Sequence, residues 1–297
     1  MLQYGRHCHS SLEQVNDTAI YFRTAKINLA SKMTQTGTLP TIFEDFPARN
    51  LLKAETGDAG DLLRPYLDEV HLWLMPTDLP PIPLEHLASL LSPAETARAN
   101  RFHFPLHRTR YIAAHGFLRL VLSTCGAGNA RDLEFVTGPQ GKPSLLSPAG
   151  SAPLLHFNLS HSGAWALLAT ATSGDIGADI EEIRAFDDFQ SMARNTFSPP
   201  ETANLLSLPL DRQLDGFFAC WARKEALIKA DGRGLGVPLD HFEVNVDPCQ
   251  PACLHRAEED AAQLQKFEIH DFPAIQGYRA TAAVPKEICR FRFFRIT

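Results

Sequence analysis

Ser198-Pro199-Pro200-Glu201-Thr202-Ala203 nearly repeats Ser92-Pro93-Ala94-Glu95-Thr96-Ala97, 106 positions upstream. Each hexapeptide reads as the start of a helix. The serine caps the free N–H groups, proline suits the first helical position, and the glutamate three residues on reaches back to close a capping box. At the same spacing, Gly126-Ala127-Gly128 meets Gly232-Arg233-Gly234, and the strand-like run Val70–Met75 meets Ile176–Glu181. Within those runs Val70, Leu72 and Leu74 match Ile176, Ala178 and Ile180. Three landmarks in one order at one spacing point to an internal duplication. The expected fold is α+β, with two similar halves over residues 67–172 and 173–297. Residues 1–66 form an N-terminal extension in which Gly, Thr, Asn and Pro break every short pattern. A junction between like halves is a natural place for a pocket.

The halves differ where chemistry is expected. At the common spacing Trp73 corresponds to Asp179, Met75 to Glu181 and Arg119 to Glu225, so the three acidic positions belong to the second half. Gly174-Asp175 reads as a turn joining Trp165–Ala171 to Ile176–Glu181 in a hairpin. Strand alternation puts Ile176, Ala178 and Ile180 on one face and Gly177, Asp179 and Glu181 on the other. Carboxylates at i and i+2 stand roughly 6–7 Å apart along a strand, close enough to share a cation. Hard oxygen ligands of this kind suit Mg²⁺; a solvent-facing acidic strand is the plain alternative. Gly177 leaves a bare spot where a ligand could approach the backbone.

The stretch Phe217–Asp231 reads as a helix stopped by Gly232. Phe217, Trp221, Glu225 and Lys229 are four apart and share a stripe. Two apolar rings thus hand over to a carboxylate and an ammonium, either as an ordinary exposed pair or as part of a site. A second helix, Thr109–Thr124, carries Tyr111, His115, Leu118 and Leu122 at helical spacing.

The chain of 297 residues is 44% hydrophobic and 21% charged, as expected of a globular protein, and long enough to bury a core. Its net charge of −6 argues against non-specific nucleic-acid binding. With no apolar run long enough for a membrane span and no signal-peptide core at the start, the expected location is cytoplasmic. Six scattered cysteines do not form a disulfide framework. Cys249, Cys253 and His255 could hold part of a zinc site, but no second ligand pair has convincing spacing. Ser160-His161-Ser162 lacks the G-x-S-x-G elbow of a serine hydrolase. Pro143 stands where a Walker A motif needs Ser or Thr after Gly141-Lys142. The glycines of 232–236 have the wrong spacing for a dinucleotide loop and follow a helix. Ser160 and His161 remain plausible donors to phosphate.

Gly177-Ala178-Asp179-Ile180-Glu181, followed by Trp221-Ala222-Arg223-Lys224-Glu225-Ala226-Leu227-Ile228-Lys229, resembles the G-x-D-x-E and W-x-x-K-E-A-x-x-K pair of the 4'-phosphopantetheinyl transferases. The similarity is to the larger, monomeric kind whose two halves form one chain, and it covers about residues 68–290. Gly141-Lys142-Pro143, the run Asn158–Ser162 and the segment Arg108-Thr109-Arg110-Tyr111 match in the expected order. Ala222 departs from the Ser or Thr often found there, and the extension has no recognised counterpart.

The resemblance implies transfer of the phosphopantetheine arm of coenzyme A to a serine of an apo acyl or peptidyl carrier protein, releasing 3',5'-ADP. It implies Mg²⁺ held by Asp179, Glu181 and Glu225, with Glu225 also taking the serine proton directly or through water. Lys229 would contact phosphate and stabilise charge. Ser160 and His161 would hold diphosphate or 3'-phosphate oxygens, Lys142 and Arg110 would face the 3'-phosphate and adenine, and Trp221 and Lys224 would support the helix. A Mg²⁺-dependent phosphohydrolase, or a binding module for coenzyme A or a carrier, are the competing readings.

Overall fold

The computed structural model describes residues 43–55, 63–146 and 155–297; the remainder of the expected extension, residues 1–42 and 56–62, lies outside them. Chain order runs β1 (Glu44–Phe46), α1 (Ala48–Glu55), β2 (Glu69–Pro76), α2 (Leu84–Ser89), α3 (Pro93–Ala99), α4 (Pro105–Thr124), β3 (Phe135–Thr137), β4 (Pro143–Leu145), β5 (His156–Ser162) and β6 (Trp165–Ala171). The second half follows with β7 (Gly177–Glu182), α5 (Phe189–Thr196), α6 (Pro199–Ser207), α7 (Leu210–Asp231), β8 (Phe242–Val244), β9 (Leu254–Ala257), β10 (Phe267–Asp271), β11 (Tyr278–Pro285) and β12 (Arg290–Ile296).

The duplication is visible as topology. In the first half β2 pairs antiparallel with β6, and β6 with β5. In the second β7 pairs antiparallel with β11, and β11 with β10. Each half also inserts a short ribbon, β3–β4 or β8–β9, between its long helix and the strand pair that follows, β5–β6 or β10–β11. Both hexapeptides form complete capping boxes, at Ser92 with Glu95 and at Ser198 with Glu201. The long helices begin earlier than their apolar periods indicate, at Pro105 and Leu210, because each is entered through a proline.

The two sheets stack face to face. Val70, Leu72, Leu74, Leu167 and Ala169 on one meet Ile176, Ala178, Ile180, Ala280 and Ala282 on the other in a single buried cluster. The long helices cover the outer faces, α4 with Trp73 and Met75 beneath it and α7 over Phe267, Ile269 and Ala283. The alternation expected for Ile176–Glu181 is therefore real: one face enters the central core and the other turns toward α7.

The expected hairpin between Trp165–Ala171 and Ile176–Glu181 does not form. Strand β6 is already flanked by β2 and β5, so no edge is left for β7. Gly174, with φ of 74°, carries the chain from one sheet to the other. The hairpin partner of β6 is β5, through a two-residue turn at Gly163-Ala164.

The first and last described strands both join the first sheet. Strand β12 pairs parallel with β2, and β1, from the expected extension, pairs parallel with β12. Phe46 packs edge-on against Trp73 and Phe294, and Leu51 of α1 is fully buried. Residues 44–55 thus complete the first half's core.

Candidate active site

Strand β7 and helix α7 build the site because Gly177 lets them touch. A Cβ at Gly177 would lie 2.0 Å from the Ala226 carbonyl oxygen and 2.5 Å from the Ala230 nitrogen. The bare spot expected to admit a ligand is filled by helix backbone. That close approach brings Asp179 and Glu181 of the strand beside Glu225 and Lys229 of the helix.

Asp179 is buried, and its Oδ1 accepts hydrogen bonds from Lys229 Nζ at 2.5 Å and Ser160 Oγ at 2.9 Å. Its Oδ2 is buried with no hydrogen-bond partner. Glu181 Oε2 accepts from Ser162 Oγ at 2.8 Å. Burial and the Asp179 charge push the Glu181 carboxyl up to about 7, with Glu225 adding and Ser162 and Lys229 opposing. Burial also raises the Glu225 carboxyl, Lys229 opposing and Asp179 adding. Burial works against the Lys229 ammonium, but Asp179, Glu225 and Glu181 outweigh it and raise its pKa. Three carboxylates thus crowd one ammonium, and burial with their mutual repulsion raises both Glu181 and Glu225. An orphaned carboxylate oxygen in an over-acidic, all-oxygen cluster fits a hard divalent cation.

Beside the carboxylates a cleft of about 330 Å³ holds His107, Arg110, His161 and Arg184. His161 is driven toward its neutral form by burial first, and then by His115, Lys229, Arg110 and Arg98. The cations Arg110 and Arg184 suit an anion there, with the Glu182 carboxylate on the same lining opposing them. Arg110 is held at the wall by a bidentate bond to Asp78, at 2.5 and 3.0 Å.

Two predicted phosphate contacts have protein partners. Lys142 donates to the Ala230 carbonyl at 3.0 Å, to Ile176 O at 3.4 Å and to Asp175 Oδ1 at 3.3 Å. It therefore caps the C-terminal turn of α7, where a cation is favoured. Burial lowers its pKa and Asp175 opposes the shift. Ser160 Oγ gives its hydrogen to Asp179 and accepts from Lys229 and from the Ile180 N–H. The structure thus brings together Asp179, Glu181, Glu225, Lys229 and Ser160, sets His161 and Arg110 in the adjoining cleft, and places Lys142 at the helix end.

Lys224 is support. It is fully buried, pairs with Glu201 at 2.8 Å and donates to the carbonyls of Leu239 and Phe242 at 2.6 Å each. Trp221 stacks on Phe217 with centroids 6.1 Å apart. Asp78, His107 and Arg184 carry no signal in the sequence, and Ser162 stands out there only within the Ser160-His161-Ser162 triplet, with no role of its own. A signal for one existed: Asn158, Ser160 and Ser162 alternate with the same period as Gly177, Asp179 and Glu181.

Among the described residues Cys249, Cys253 and His255 do not converge as a zinc site, and Cys249 Sγ accepts instead from Arg212. The trio whose ligand atoms all lie within 4.8 Å of one another is His241, Glu258 and Asp260, near the surface. The oxygens of Asp179, Glu181 and Glu225 are less closely gathered, with Lys229 among them. No described helix is long and apolar enough to cross a membrane.

Two family models match in tandem. One, described as 4'-phosphopantetheinyl transferase, N-terminal, covers residues 81–173; the other, the 4'-phosphopantetheinyl transferase superfamily, covers 175–283. The chain is similar to the 4'-phosphopantetheinyl transferase HetI of Nostoc sp., 42% identical over 190 residues, 64% of this chain and 79% of that one. It is similar to 4'-phosphopantetheinyl transferase ffp of Bacillus subtilis, 33% identical over 209 residues, 70% of this chain and 85% of the relative. With Sfp of Bacillus subtilis the identity is 34% over 162 residues, 54% and 69% of the two chains.

Proposed function

The chain belongs to the 4'-phosphopantetheinyl transferase superfamily, and we propose from that premise how its own residues carry out the transfer. It is an enzyme that moves the phosphopantetheine arm of coenzyme A onto a carrier protein. The acceptor is a serine hydroxyl of an apo acyl or peptidyl carrier, and 3',5'-ADP leaves. The new Ser Oγ–P bond forms as the P–O bond to the 3',5'-ADP moiety breaks.

Asp179, Glu181 and Glu225 would hold Mg²⁺, which when bound offsets the charge of the diphosphate. The observation that carries this assignment is the buried, unpartnered Oδ2 of Asp179 beside a Glu181 whose carboxyl is raised to about 7. Glu225 accepts the serine proton, directly or through a water, and burial raises its carboxyl above the ordinary range, which strengthens it as a base. Lys229, kept charged by its three carboxylate neighbours, donates to the phosphate on which negative charge gathers. His161, Arg110 and the cleft around them take the diphosphate and the 3'-phosphate end. Lys142 and Ser160 act at one remove, holding α7 and the Asp179–Lys229 pair.

Residues 67–172 then serve the nucleotide end, and residues 173–297 supply the carboxylates and the catalytic helix. Of the extension 1–66, residues 44–55 lend β1 and α1 to the first half. Because a duplicated chain provides its own interface between halves, the working unit is a monomer, and its place is the cytoplasm.

The test is intact-mass spectrometry of apo fatty-acid, polyketide and peptidyl carriers incubated with the protein, coenzyme A and Mg²⁺. Gain of one phosphopantetheine on a carrier, abolished by chelator, is the expected result. No gain on any carrier while coenzyme A still binds would sink the proposed mechanism.

A further inference from the structure

We infer that Ser162 is a positioning residue for Glu181: a hydroxyl from one half of the chain that aims a carboxylate of the other. The inference rests on the proposed metal role of Glu181. Strand β7 lies at the open edge of its three-stranded sheet, and β5 lies at the edge of the larger one. The Ala178 N–H donates to Asn158 Oδ1 at 2.9 Å, the Ile180 N–H to Ser160 Oγ at 3.5 Å and the Glu182 N–H to Ser162 Oγ at 3.1 Å. Three successive edge donors of β7 are therefore met by alternate side chains of β5, where a sheet would use a neighbouring backbone.

The two serines do something further. Each accepts a backbone N–H and passes its own hydrogen to a carboxylate of β7, Ser160 to Asp179 and Ser162 to Glu181. For Asp179 the loss of Ser160 would leave Lys229 still attached to the same oxygen. Glu181 has no such reserve: among the described residues its hydrogen-bonding side-chain partner is Ser162. With Oε2 tied to the seam, Oε1 is the oxygen left for a cation. The alternation Asn158, Ser160, Ser162 thus makes the geometry of the acidic cluster depend on how the two halves dock. Asn158, opposite Ala178, belongs to the same seam but touches no carboxylate.

The experiment compares the full chain with Ser162→Ala, Ser162→Thr and Asn158→Ala. Mn²⁺ is titrated into each protein with coenzyme A present, and free Mn²⁺ is read by electron paramagnetic resonance. Thermal unfolding and transfer kinetics are measured alongside. Ser162→Ala should fold and bind Mn²⁺ on the order of tenfold more weakly, as loss of a ligand-orienting partner does. It should lower kcat more than it raises KM for coenzyme A. Ser162→Thr, which keeps the hydroxyl, should restore both. Asn158→Ala should lower the unfolding temperature without changing Mn²⁺ affinity; should it fail to fold, the alanine–threonine contrast at Ser162 decides. Unchanged Mn²⁺ affinity in folded Ser162→Ala, or equal weakening in Asn158→Ala, would overturn the inference. A native protein that loads no carrier and binds no Mn²⁺ would overturn the proposed mechanism itself, a separate outcome.

Discussion

Arg119 and Lys224 do the same job in the two halves. Each is buried, and each ties the glutamate of its Ser-Pro-x-Glu cap to two downstream carbonyls. Arg119 reaches Glu95, Ala130 O and Leu133 O; Lys224 reaches Glu201, Leu239 O and Phe242 O. The uniform spacing of 106 pairs Arg119 with Glu225, but function in the fold pairs it with Lys224, one residue earlier. Long helices entered through loops of different length need not keep one register. With the corrected register, Leu120 stands where Glu225 does. Leu120, Trp73 and Met75 are all fully buried in one core cluster. The acidic site of the second half thus occupies the place of apolar packing in the first.

Lys224→Met should therefore act on stability more than on chemistry. Removing one partner of a buried pair leaves Glu201 charged and desolvated, at a cost of about 3–5 kcal/mol. Denaturant unfolding measures it, and a loss under about 1 kcal/mol would mean that the pair is not a structural anchor.

The matching pair in the first half carries a pH signature. Burial works against the Glu95 carboxylate, but His115, the Ser92 N–H and Arg119 outweigh it and hold its pKa at about 2. A carboxyl depressed from 4.5 stabilises the fold fully above its unfolded value and loses that contribution as pH falls from about 4.5 to 2. Glu95→Gln should cost on the order of 3 kcal/mol at pH 7 and flatten the fall in stability across that acid window. Parallel unfolding curves for variant and native protein from pH 5 down to 2 would refute the assignment.

Much of this was legible before the fold, and the reasons it stopped are physical. Capping boxes are local, so Ser92 and Ser198 announced their helices, and strand alternation announced which residues of Ile176–Glu181 share a face, though not that both faces are covered, one by the central core and the other by α7. Pairing is not local: nothing near Gly174 tells that both edges of β6 are already taken. Lys142 could be read as a cation near a turn, whereas its service to the end of α7 depends on a contact 88 residues away. Leu51 and Phe46 gave no periodic signal because their elements are short.

Those last two residues make a stability prediction. Leu51 is fully buried against the first half's core, so Leu51→Ala should cost about 2–5 kcal/mol. The value follows from chemical denaturation of the full chain. A loss below about 1 kcal/mol would mean that the segment 43–55 is dispensable to the fold.

Gly177 is required for the site by space alone. Gly177→Ala sets a methyl group against the backbone of α7 at Ala226 and Ala230, where no side chain can move aside. Strand and helix must separate, and Asp179 then draws away from Lys229. Displacement by about an ångström can lower turnover on the order of a hundredfold, and a comparable fall in kcat is expected here. Carrier loading under saturating coenzyme A reads it. Full activity in a folded Gly177→Ala protein would show that the close approach is not needed.

Glu225→Gln separates chemistry from binding. The amide keeps the shape of the side chain but can neither take the serine proton nor add charge to the cation site. Loss of a general base typically costs about 10²–10⁴ in rate, so kcat should fall in that range while coenzyme A still binds. The native enzyme's kcat should rise with pH as Glu225 loses its proton, a step that burial moves upward in the metal-free protein and a bound cation moves back down. In Glu225→Gln that limb should disappear from the profile. A limb that persists unchanged at the same pH would assign it to another group, with Glu181, raised to about 7, the next to replace.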